Sequence, residues 1–415
     1  MNNTPVAERL HISIFGRRNV GKSSLINILT GQDLSVVSDV PGTTTDPVYK
    51  TMELLPIGPV VIIDTAGMDD EGDLGNLRVE KTYDVLRKTN FAIVVISAEE
   101  GLTQMEEDFV RQLKTRGIAA VCAVNKCDLK AVPENEVGDL KRRLGIPVLC
   151  VSSFLKDDME KLKRLIAENA VFDESQLSIA GDLISPGDFV VLVTPIDKAA
   201  PKGRLILPQQ QTIRDIIEND AVAVITKEHE LKETLNNLCK KPSLVITDSQ
   251  AFLKVSADTP PDVPLTSFSI LFARYKGELI EMVRGLKKIE SLKPGSSVLI
   301  VEGCTHHRQA DDIGKVKIPR WIRQTAGGEI CFEWASGTSF PKDISRFDAI
   351  VHCGGCMLNR QEMRYRIGFA KEQGVAITNY GMLIAYMQGI LRRALGPFPA
   401  ALIILEEQGW NYDIY

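Results

Sequence analysis

The sequence predicts an α/β protein made of three consecutive units, and three observations support this. The chain has 415 residues, which at roughly 150 residues per domain indicates about three domains. Hydrophobic residues make up 44% of the chain and charged residues 25%, as in ordinary folded proteins, so a disordered chain is excluded. Short apolar runs alternate with amphipathic stretches, which is typical of parallel sheets covered by helices.

The first unit is expected to span residues 1–172. Five apolar runs have the length and composition of buried strands, and helical patterns lie between them. The strands are predicted at residues 10–15, 60–64, 91–96, 118–125 and 148–151, and two of the helices at 104–116 and 157–168. A polar stretch at residues 172–187 then predicts a linker.

Two smaller α/β units follow, at residues 182–262 and 265–415. A Pro-rich segment, residues 259–264, separates them and suits a stiff boundary because proline fixes φ. In the second unit we predict strands at 188–194, 221–226 and 243–247 and helices at 209–218 and 229–238. In the third we predict helices at 278–292, 319–325, 360–373 and 382–394, with strands at 297–302 and near Ile330 and Ala349.

Composition also narrows the class of function. The net charge of −5 argues against a protein that coats nucleic acid, since phosphate binding requires an excess of Lys and Arg. No run approaches about 18 apolar residues, so no membrane span is expected. The N-terminal residues lack the pattern of a secretory signal, and we therefore expect a cytoplasmic protein. In a reducing compartment, Cys residues are more often buried, metal-bound or catalytic than paired in disulfides.

A phosphate-binding loop is the first motif that carries chemistry. The segment from Gly16 to Ser23 fits G-x-x-x-x-G-K-S and lies between a predicted strand and a predicted helix. Its glycines allow backbone N–H groups to point at phosphate oxygens, Lys22 adds a positive charge at the β/γ-phosphates, and the Ser23 hydroxyl can bind Mg²⁺. We therefore assign nucleotide binding to Gly16, Asn19, Val20, Gly21, Lys22, Ser23 and Ser24.

Four further segments follow in the order expected of a GTP site. Asp64-Thr65-Ala66-Gly67 ends a strand, where Asp64 can reach Mg²⁺ through water and the Gly67 amide can contact the γ-phosphate. Asn125-Lys126-Cys127-Asp128 ends another strand, and the Asp128 carboxylate can accept two N–H bonds from guanine. The remaining pieces are Ser152-Ser153, at the base pocket, and Gly42-Thr43-Thr44-Thr45-Asp46, in which Thr44 is the candidate Mg²⁺ ligand.

Together these segments resemble the translation-factor-like GTPases of the tRNA-modifying and ribosome-assembly group. The resemblance implies a Ras-like P-loop GTPase domain in which Lys22, Asn19, Thr44 and Gly67 serve catalysis. Met68 follows Gly67 where signalling GTPases have a water-orienting Gln, and Asn19 occupies the position of a potassium ligand in potassium-activated relatives. We therefore predict slow GTP hydrolysis that K⁺ accelerates. The alternative is that Asn19 is a turn residue that binds no ion.

Cysteine and histidine residues form a second pattern, in the third unit. Cys304 and His306 follow one predicted strand, and after 45 residues His352, Cys353 and Cys356 follow another. Parallel sheets bind ligands at the carboxyl ends of their strands, so neighbouring strands would bring these side chains together. Three Cys suit an iron–sulfur cluster with a non-Cys fourth ligand, or a Cys₃His zinc site. A metal-free buried set and a Cys-x-x-Cys redox pair stay open.

The combination of both patterns is similar to the GTPases of FeFe-hydrogenase maturation, the HydF family. The segment Cys304-Thr305-His306-His307 and the later Asp311-Asp312-Ile313-Gly314 carry this resemblance. It implies a 4Fe-4S cluster on Cys304, Cys353 and Cys356, with His306, His352 or Glu302 as candidates for the fourth position. It also implies a scaffold that receives a di-iron precursor with CO, cyanide and a dithiolate bridge, and delivers it to apo FeFe-hydrogenase.

The same resemblance implies further partners. These are the radical-SAM maturases HydE and HydG and a second copy of the chain, paired through the middle unit. Two rival functions stay open. One is an RNA or ribosome-assembly GTPase with a zinc-stabilised C-terminal unit, which the acidic charge disfavours. The other is a thiol redox enzyme that uses Cys353 and Cys356, for which Cys304 would be dispensable.

Overall fold

The computed structural model describes residues 5–30, 47–69, 81–170 except 83, 178–195, 205–303, 312–337 and 340–410. The chain divides into two compact units, residues 1–173 and 174–415. In these described ranges, no helix is long and apolar enough to cross a membrane.

The first unit contains a six-stranded sheet in its described part, with the order β2-β3-β1-β4-β5-β6. All neighbouring strands are parallel except β2, which runs antiparallel to β3. The strands are β1 (Leu10–Phe15), β2 (Val48–Leu54), β3 (Gly58–Asp64), β4 (Phe91–Ser97), β5 (Ala119–Asn125) and β6 (Val148–Cys150). The helices with complete bounds are α1 (Lys22–Thr30), α2 (Gln104–Thr115), α3 (Glu134–Leu144) and α4 (Lys156–Asn169).

Two apolar cores cover the two faces of this sheet. Leu25 of α1 and Leu162 of α4 pack on one face, while Phe109 of α2 and Leu144 of α3 pack on the other. The central strands β1 and β4 are buried along their whole length, as expected of a parallel sheet between helices. The prediction of an α/β fold with a Ras-like domain is confirmed.

Two elements of this unit were not predicted from the sequence. The edge strand β2 is exposed or partly buried except at its last residue and lies beside only one other strand in the described part of the sheet, so it lacks the continuous apolar run that identified the buried strands. Helix α3 is polar over most of its length, with Leu144 as its buried residue. It ends at Gly145, whose φ of 57° gives a left-handed cap.

The second unit contains two four-stranded sheets in its described part, and all strand pairs in both are parallel. Their orders are β10-β9-β7-β8 and β12-β11-β13-β14. The strands are β7 (Phe189–Val193), β8 (Val222–Thr226), β9 (Leu244–Thr247), β10 (Leu265–Ser267), β11 (Ser297–Glu302), β12 (Cys331–Ser336), β13 (Ala349–His352) and β14 (Ala376–Asn379).

Helices join both sheets of the second unit into one core. Val190 of the first sheet, Met282 of a connecting helix and Val298 of the second sheet belong to the same buried cluster. The helices are α5 (Leu207–Glu218), α6 (Leu231–Asn237), α7 (Phe252–Asp258), α8 (Phe268–Lys276), α9 (Leu279–Glu290), α10 (Ile318–Ala326), α11 (Arg360–Glu372), α12 (Tyr380–Met387), α13 (Leu391–Leu395) and α14 (Pro399–Glu407).

Several elements of the second unit differ from the expectation. Strands β10 and β14 and helices α7, α8 and α14 were not predicted. The helix predicted at 382–394 is wrong as a single element, because the chain turns at Gly389, with φ of 72°, between α12 and α13. Strand β10 follows the Pro-rich segment yet pairs with β9, so the first sheet continues beyond that segment. The division into domains 1–172, 182–262 and 265–415 stays a prediction.

Candidate functional site

The phosphate-binding loop connects β1 to α1 and is packed against neighbouring strands. A Cβ at Gly16 would lie 2.3 Å from the carbonyl oxygen of Val95, on β4. Gly21 has φ of 89°, and a Cβ there would lie 2.2 Å from Nδ2 of Asn125, at the end of β5. Both positions therefore require glycine, because the loop backbone lies directly against the strand ends.

Lys22, Ser23 and Asp64 converge at the start of α1. Lys22 is 8% exposed, and its Nζ donates hydrogen bonds to the carbonyl oxygens of Gly16 at 2.8 Å and of Arg17 at 2.6 Å. The Ser23 hydroxyl donates to Oδ2 of Asp64 at 3.1 Å. Burial raises the pKa of Asp64, although Lys22 opposes the shift.

The second carboxylate oxygen of Asp64 is the atom that fits a cation. Oδ1 is buried, and no hydrogen-bond donor reaches it from the described residues. Hydroxyl and carboxylate oxygens are the ligands that Mg²⁺ prefers. The donor set of Ser23 and Asp64 thus fits the predicted Mg²⁺ position, while Thr44 lies outside the described residues.

The segment after Asp64 lies against the phosphate-binding loop. The amide of Met68 donates to the carbonyl oxygen of Gly16 at 3.3 Å, and the amide of Arg18 donates to Oδ1 of Asp69 at 2.7 Å. These bonds hold Gly67 beside the loop, and a Cβ on Gly67 would lie 2.6 Å from Cγ of Arg18. The contact of the Gly67 amide with a γ-phosphate stays a prediction.

Asn125 joins the remaining nucleotide segments. Its Nδ2 donates to the carbonyl oxygen of Val20 at 2.9 Å, and its Oδ1 accepts from the amide of Ser153 at 3.1 Å. Ser152 and Ser153 are buried, whereas the Asp128 carboxylate is exposed and open to a base. Lys126 has φ of 64°, and its Nζ lies 3.1 Å from Oε2 of Glu99.

The cysteine pattern lies at the carboxyl edge of the sheet that contains β11 and β13. These strands are neighbours, and Val301 pairs with His352. The sulfur of Cys353 accepts hydrogen bonds from the amides of Gly303 at 3.0 Å and Gly355 at 3.4 Å. Cys304 and His306 lie outside the described residues, but Cys304 is bonded directly to Gly303. The condition under which the two halves of the pattern could converge, that their strands are neighbours, is therefore met.

Burial controls the state of the Cys353 thiol. Desolvation is the main cause that raises its pKa to about 11; the amides of Gly303 and Gly355 oppose the shift, and the nearby Cys356 and Glu302 add to it. A bound metal would favour the thiolate instead, because thiolates are the metal ligands and the amide donors stabilise negative charge on sulfur. Among the described residues no group of three or more His, Cys, Asp or Glu is gathered as a metal site. Cys304 lies outside those residues, so the predicted ligand set is not fully represented among them.

Family comparisons match both parts of the second unit. A model described as the hydrogen maturase F dimerization domain matches residues 179–277, and the hydrogen maturase F tetramerization domain matches residues 280–397. Together these matches cover more than half of the chain. The chain belongs to the hydrogen maturase F family. The resemblance to the HydF family found in the sequence is thereby confirmed, and the family's oligomerisation domains occupy the second unit.

The first unit is a GTPase domain. The model of the 50S ribosome-binding GTPase matches residues 11–126. Similar curated proteins are the tRNA modification GTPase MnmE of Chromobacterium violaceum, 33% identical over 39% of this chain and 35% of its own length, and the GTPase Der of Sulfurimonas denitrificans, 33% identical over 39% of this chain and 34% of its own. The chain thus spans about a third of these relatives.

Solved structures of GTPases are also similar to part of this chain. An Era variant of Aquifex aeolicus bound to GDP and aluminium fluoride is 18% identical, covers 55% of this chain and 97% of its own, and gives a TM-score of 0.36. The G domain of the T. maritima FeoB iron transporter is 25% identical, covers 40% of this chain and 100% of its own, and gives a TM-score of 0.31.

In this member of the hydrogen maturase F family, His352 is engaged through both ring nitrogens. The fully buried ring has Nδ1 2.8 Å from the carbonyl oxygen of Cys353, and Nε2 3.1 Å from NH1 of Arg366. Because the guanidinium can only donate, Nε2 accepts and Nδ1 carries the proton. Desolvation and the charge of Arg366 lower the pKa of His352 to about 3. As a fourth ligand, His352 would first have to give up the bond from Arg366.

Glu302 is the described alternative to His352 at this edge. It ends β11 next to Gly303, is partly exposed, and accepts a hydrogen bond at Oε1 from the Tyr380 hydroxyl at 3.3 Å. Desolvation, with the negative charges of Cys353 and Glu302 next, raises the pKa of Tyr380 well above its usual value, so this phenol stays a donor. The Tyr380 hydroxyl, at the start of α12, therefore helps to orient the Glu302 carboxylate.

Several supporting residues carried no signal in the sequence. Arg17, in a variable position of the phosphate-binding loop, donates to the buried Glu106 at 2.6 Å and forms an ion pair with Glu100 at 2.8 Å. Glu106 also accepts a bond from the amide of Thr103 at 2.9 Å, which begins α2. Spacing within a motif does not reveal these partners, because they come from another element.

Proposed function

We propose that this chain is a GTP-hydrolysing scaffold for FeFe-hydrogenase maturation. In this proposal it carries a 4Fe-4S cluster on Cys304, Cys353 and Cys356, holds a di-iron precursor, and delivers the di-iron unit to apo FeFe-hydrogenase. Membership in the hydrogen maturase F family supports the maturation role. The radical-SAM maturases HydE and HydG are the proposed upstream partners.

The observation that carries the cluster assignment is the environment of the Cys353 sulfur. Two backbone amides point at it, from Gly303 and Gly355, and both belong to the segments that carry the other two cysteines. Amide donors of this kind stabilise thiolates in iron–sulfur sites. Gly355 has φ of 63°, which allows the tight turn from Cys353 to Cys356.

The bound cluster would supply an iron without a thiolate ligand, at which an exchangeable group can bind. The residues of this chain would then control access to that position. Glu302 is the described carboxylate beside Cys353, and His352 orients the carbonyl of Cys353. His306 stays a proposed ligand outside the described residues. A weak oxygen or nitrogen ligand suits a site from which the di-iron unit must leave.

The nucleotide site supports GTP binding and hydrolysis with Mg²⁺. Lys22 would move from the carbonyls of Gly16 and Arg17 to phosphate oxygens, and Ser23 and Asp64 would hold the ion. Asn19 is exposed with φ of 58°, and we propose it as the K⁺ ligand that partly replaces an arginine finger. Hydrolysis would gate partner docking, since a lost γ-phosphate releases switch segments.

Pairing of two chains is proposed at the edge strand β8. Val222 is 43% exposed and Ile225 is 48% exposed, and the strand is hydrogen-bonded on one side by β7. Among the described residues no strand lies on its other side, and an apolar strand with an open edge favours association with another strand. The match of this region to a dimerization domain supports a homodimer through this unit.

The deciding experiment is anaerobic reconstitution of the full chain with iron and sulfide. We expect about four irons and four sulfides per chain, visible absorbance, and activation of apo-hydrogenase once the di-iron unit is loaded. Bound zinc without iron would favour the rival GTPase of RNA or ribosome assembly, which the relatives MnmE and Der make the second candidate. Retained iron in Cys304→Ser would contradict the proposed ligand set.

A further inference from the structure

A buried lysine supports the loop between the two cysteines of the Cys-x-x-Cys segment. Lys276 is the last residue of α8 and is 2% exposed. Its Nζ donates to the carbonyl oxygens of Cys356 and Leu358, each at 2.9 Å. It also lies 5.7 Å from the ring centre of Phe272. The contacts bridge 80 residues of sequence, from Lys276 to Cys356.

The ammonium group of Lys276 is buried next to the Cys-x-x-Cys segment. Transfer of a charged group out of water is unfavourable, and hydrogen bonds to carbonyls offset part of that cost. A lysine at the end of a helix is favourable for the helix dipole, but an exposed side chain would provide that equally well. The side chain of Lys276 instead reaches the loop that presents Cys353 and Cys356.

The other end of the same loop is held in a different way. Arg366 is fully buried, donates from NH1 to His352, and through His352 is linked to the carbonyl of Cys353. Its Nε donates to Oε1 of Glu362 at 2.8 Å, so its charge is paired with a carboxylate. Two buried cations thus fix the loop at Cys353 and at Cys356.

We propose that Lys276 is a positioning residue for the iron–sulfur site, fixing the Cys353–Cys356 loop and placing positive charge beside the cluster. This inference rests on the proposed function. Reduction of a cluster adds negative charge, and a nearby cation favours the reduced form. Lys276 therefore raises the reduction potential of the cluster and slows its loss.

The test compares four variants of the full chain after anaerobic reconstitution. Lys276→Met removes charge and donors, Lys276→Gln keeps donors without charge, and Lys276→Arg keeps both. Lys287→Met is the matched control, because Lys287 is a half-exposed lysine of the same unit that pairs with Glu290. The measurements are the midpoint potential, followed by electron paramagnetic resonance, and the rate of iron loss to a chelator.

We expect a more negative potential in Lys276→Met and Lys276→Gln, and values close to the unaltered chain in Lys276→Arg and Lys287→Met. Iron loss should be on the order of tenfold faster in Lys276→Met, the size typical of lost outer contacts at metal sites. If Lys276→Met does not fold, the midpoint potential of Lys276→Gln shows the effect of removing the charge.

An unchanged potential in Lys276→Gln would overturn the inference while leaving the cluster itself in place. Equal shifts in Lys287→Met would also overturn it, because the effect would then not depend on contact with the loop. An unaltered chain that binds no iron is a different result, since it would remove the proposed function and this inference with it.

Discussion

The nucleotide site and the cysteine edge occupy equivalent places in their sheets, yet different kinds of residues support them. Each lies at the carboxyl ends of parallel strands, where ligands bind in α/β proteins. In the nucleotide site, motif residues bond to one another, as Lys22 does to Gly16 and Asn125 to Val20, although Glu106 of α2 also holds the loop through Arg17. At the cysteine edge, Lys276 and Arg366 come from helices outside the pattern.

This difference explains why only one of the two sites can be recognised from a short segment of the sequence. Phosphate is bound by backbone amides of one continuous loop, so the residues needed are consecutive. Cysteines that follow two different strands need a loop conformation that the two strands do not fix by themselves if they are to bind one group. The supporting cations therefore come from elements distant in sequence, where no spacing rule applies.

The largest expected effect is a loss of iron binding that leaves GTP hydrolysis unchanged. Cys353→Ser should abolish iron binding, because it removes the proposed ligand sulfur, which accepts hydrogen bonds from the amides of Gly303 and Gly355. Reconstituted iron content should fall to background while GTP hydrolysis is retained. Cys331→Ser, at an exposed position of β12, is the matched control and should keep full iron content. Loss of iron in both variants would contradict a specific ligand role.

The converse change should affect the nucleotide site alone. Lys22→Met removes the ammonium that would bind phosphate, and we expect kcat/KM for GTP to fall on the order of 100-fold, as for lost transition-state contacts of this kind. Iron content should be unchanged. Lys130→Met, at an exposed position of the same unit, provides the control. Hydrolysis at the normal rate in Lys22→Met would show that another residue provides the charge.

Two asparagines allow a direct comparison of the strand ends. Asn125 and Asn379 are each 1% exposed, and each joins the end of a strand to another segment: Asn379 donates to the carbonyl of Ser269 at 2.8 Å and accepts from Met382 at 2.9 Å. Substitution by Ala should cost about 1–3 kcal/mol at either site, because buried partners lose their bonds. Thermal melting should show both losses, whereas GTP affinity should fall only in Asn125→Ala. Equal affinity losses would mean that the two ends are not independent.

The smallest expected effect concerns the ion at the nucleotide site. Asn19→Gly retains the positive φ of 58° and removes the side-chain amide. The unaltered chain should hydrolyse GTP several-fold faster in KCl than in NaCl, and the variant should show nearly equal rates in both salts. A ratio unchanged by the substitution, or no salt preference in the unaltered chain, would falsify the K⁺ proposal.

The fold was predicted well where strands are apolar throughout and less well elsewhere. Central strands such as β4 are buried at every position, and their runs gave bounds within one or two residues. The edge strand β2 and the polar helix α3 were missed because each has little buried surface. The single helix predicted at 382–394 is interrupted at Gly389, because this residue adopts a left-handed conformation that the surrounding apolar sequence does not indicate.

The sequence by itself determined which residue types stand at the two candidate sites. It identified the phosphate-binding loop, Asp64, Asn125, and the cysteines at the ends of β11 and β13, because these functions require particular residue types at strand ends or in one continuous loop. Only the tertiary structure decided how the sites are supported. It showed that both nitrogens of His352 are engaged and that Lys276 contacts a loop 80 residues away. Such contacts depend on how distant elements pack, and packing leaves no fixed spacing in the chain.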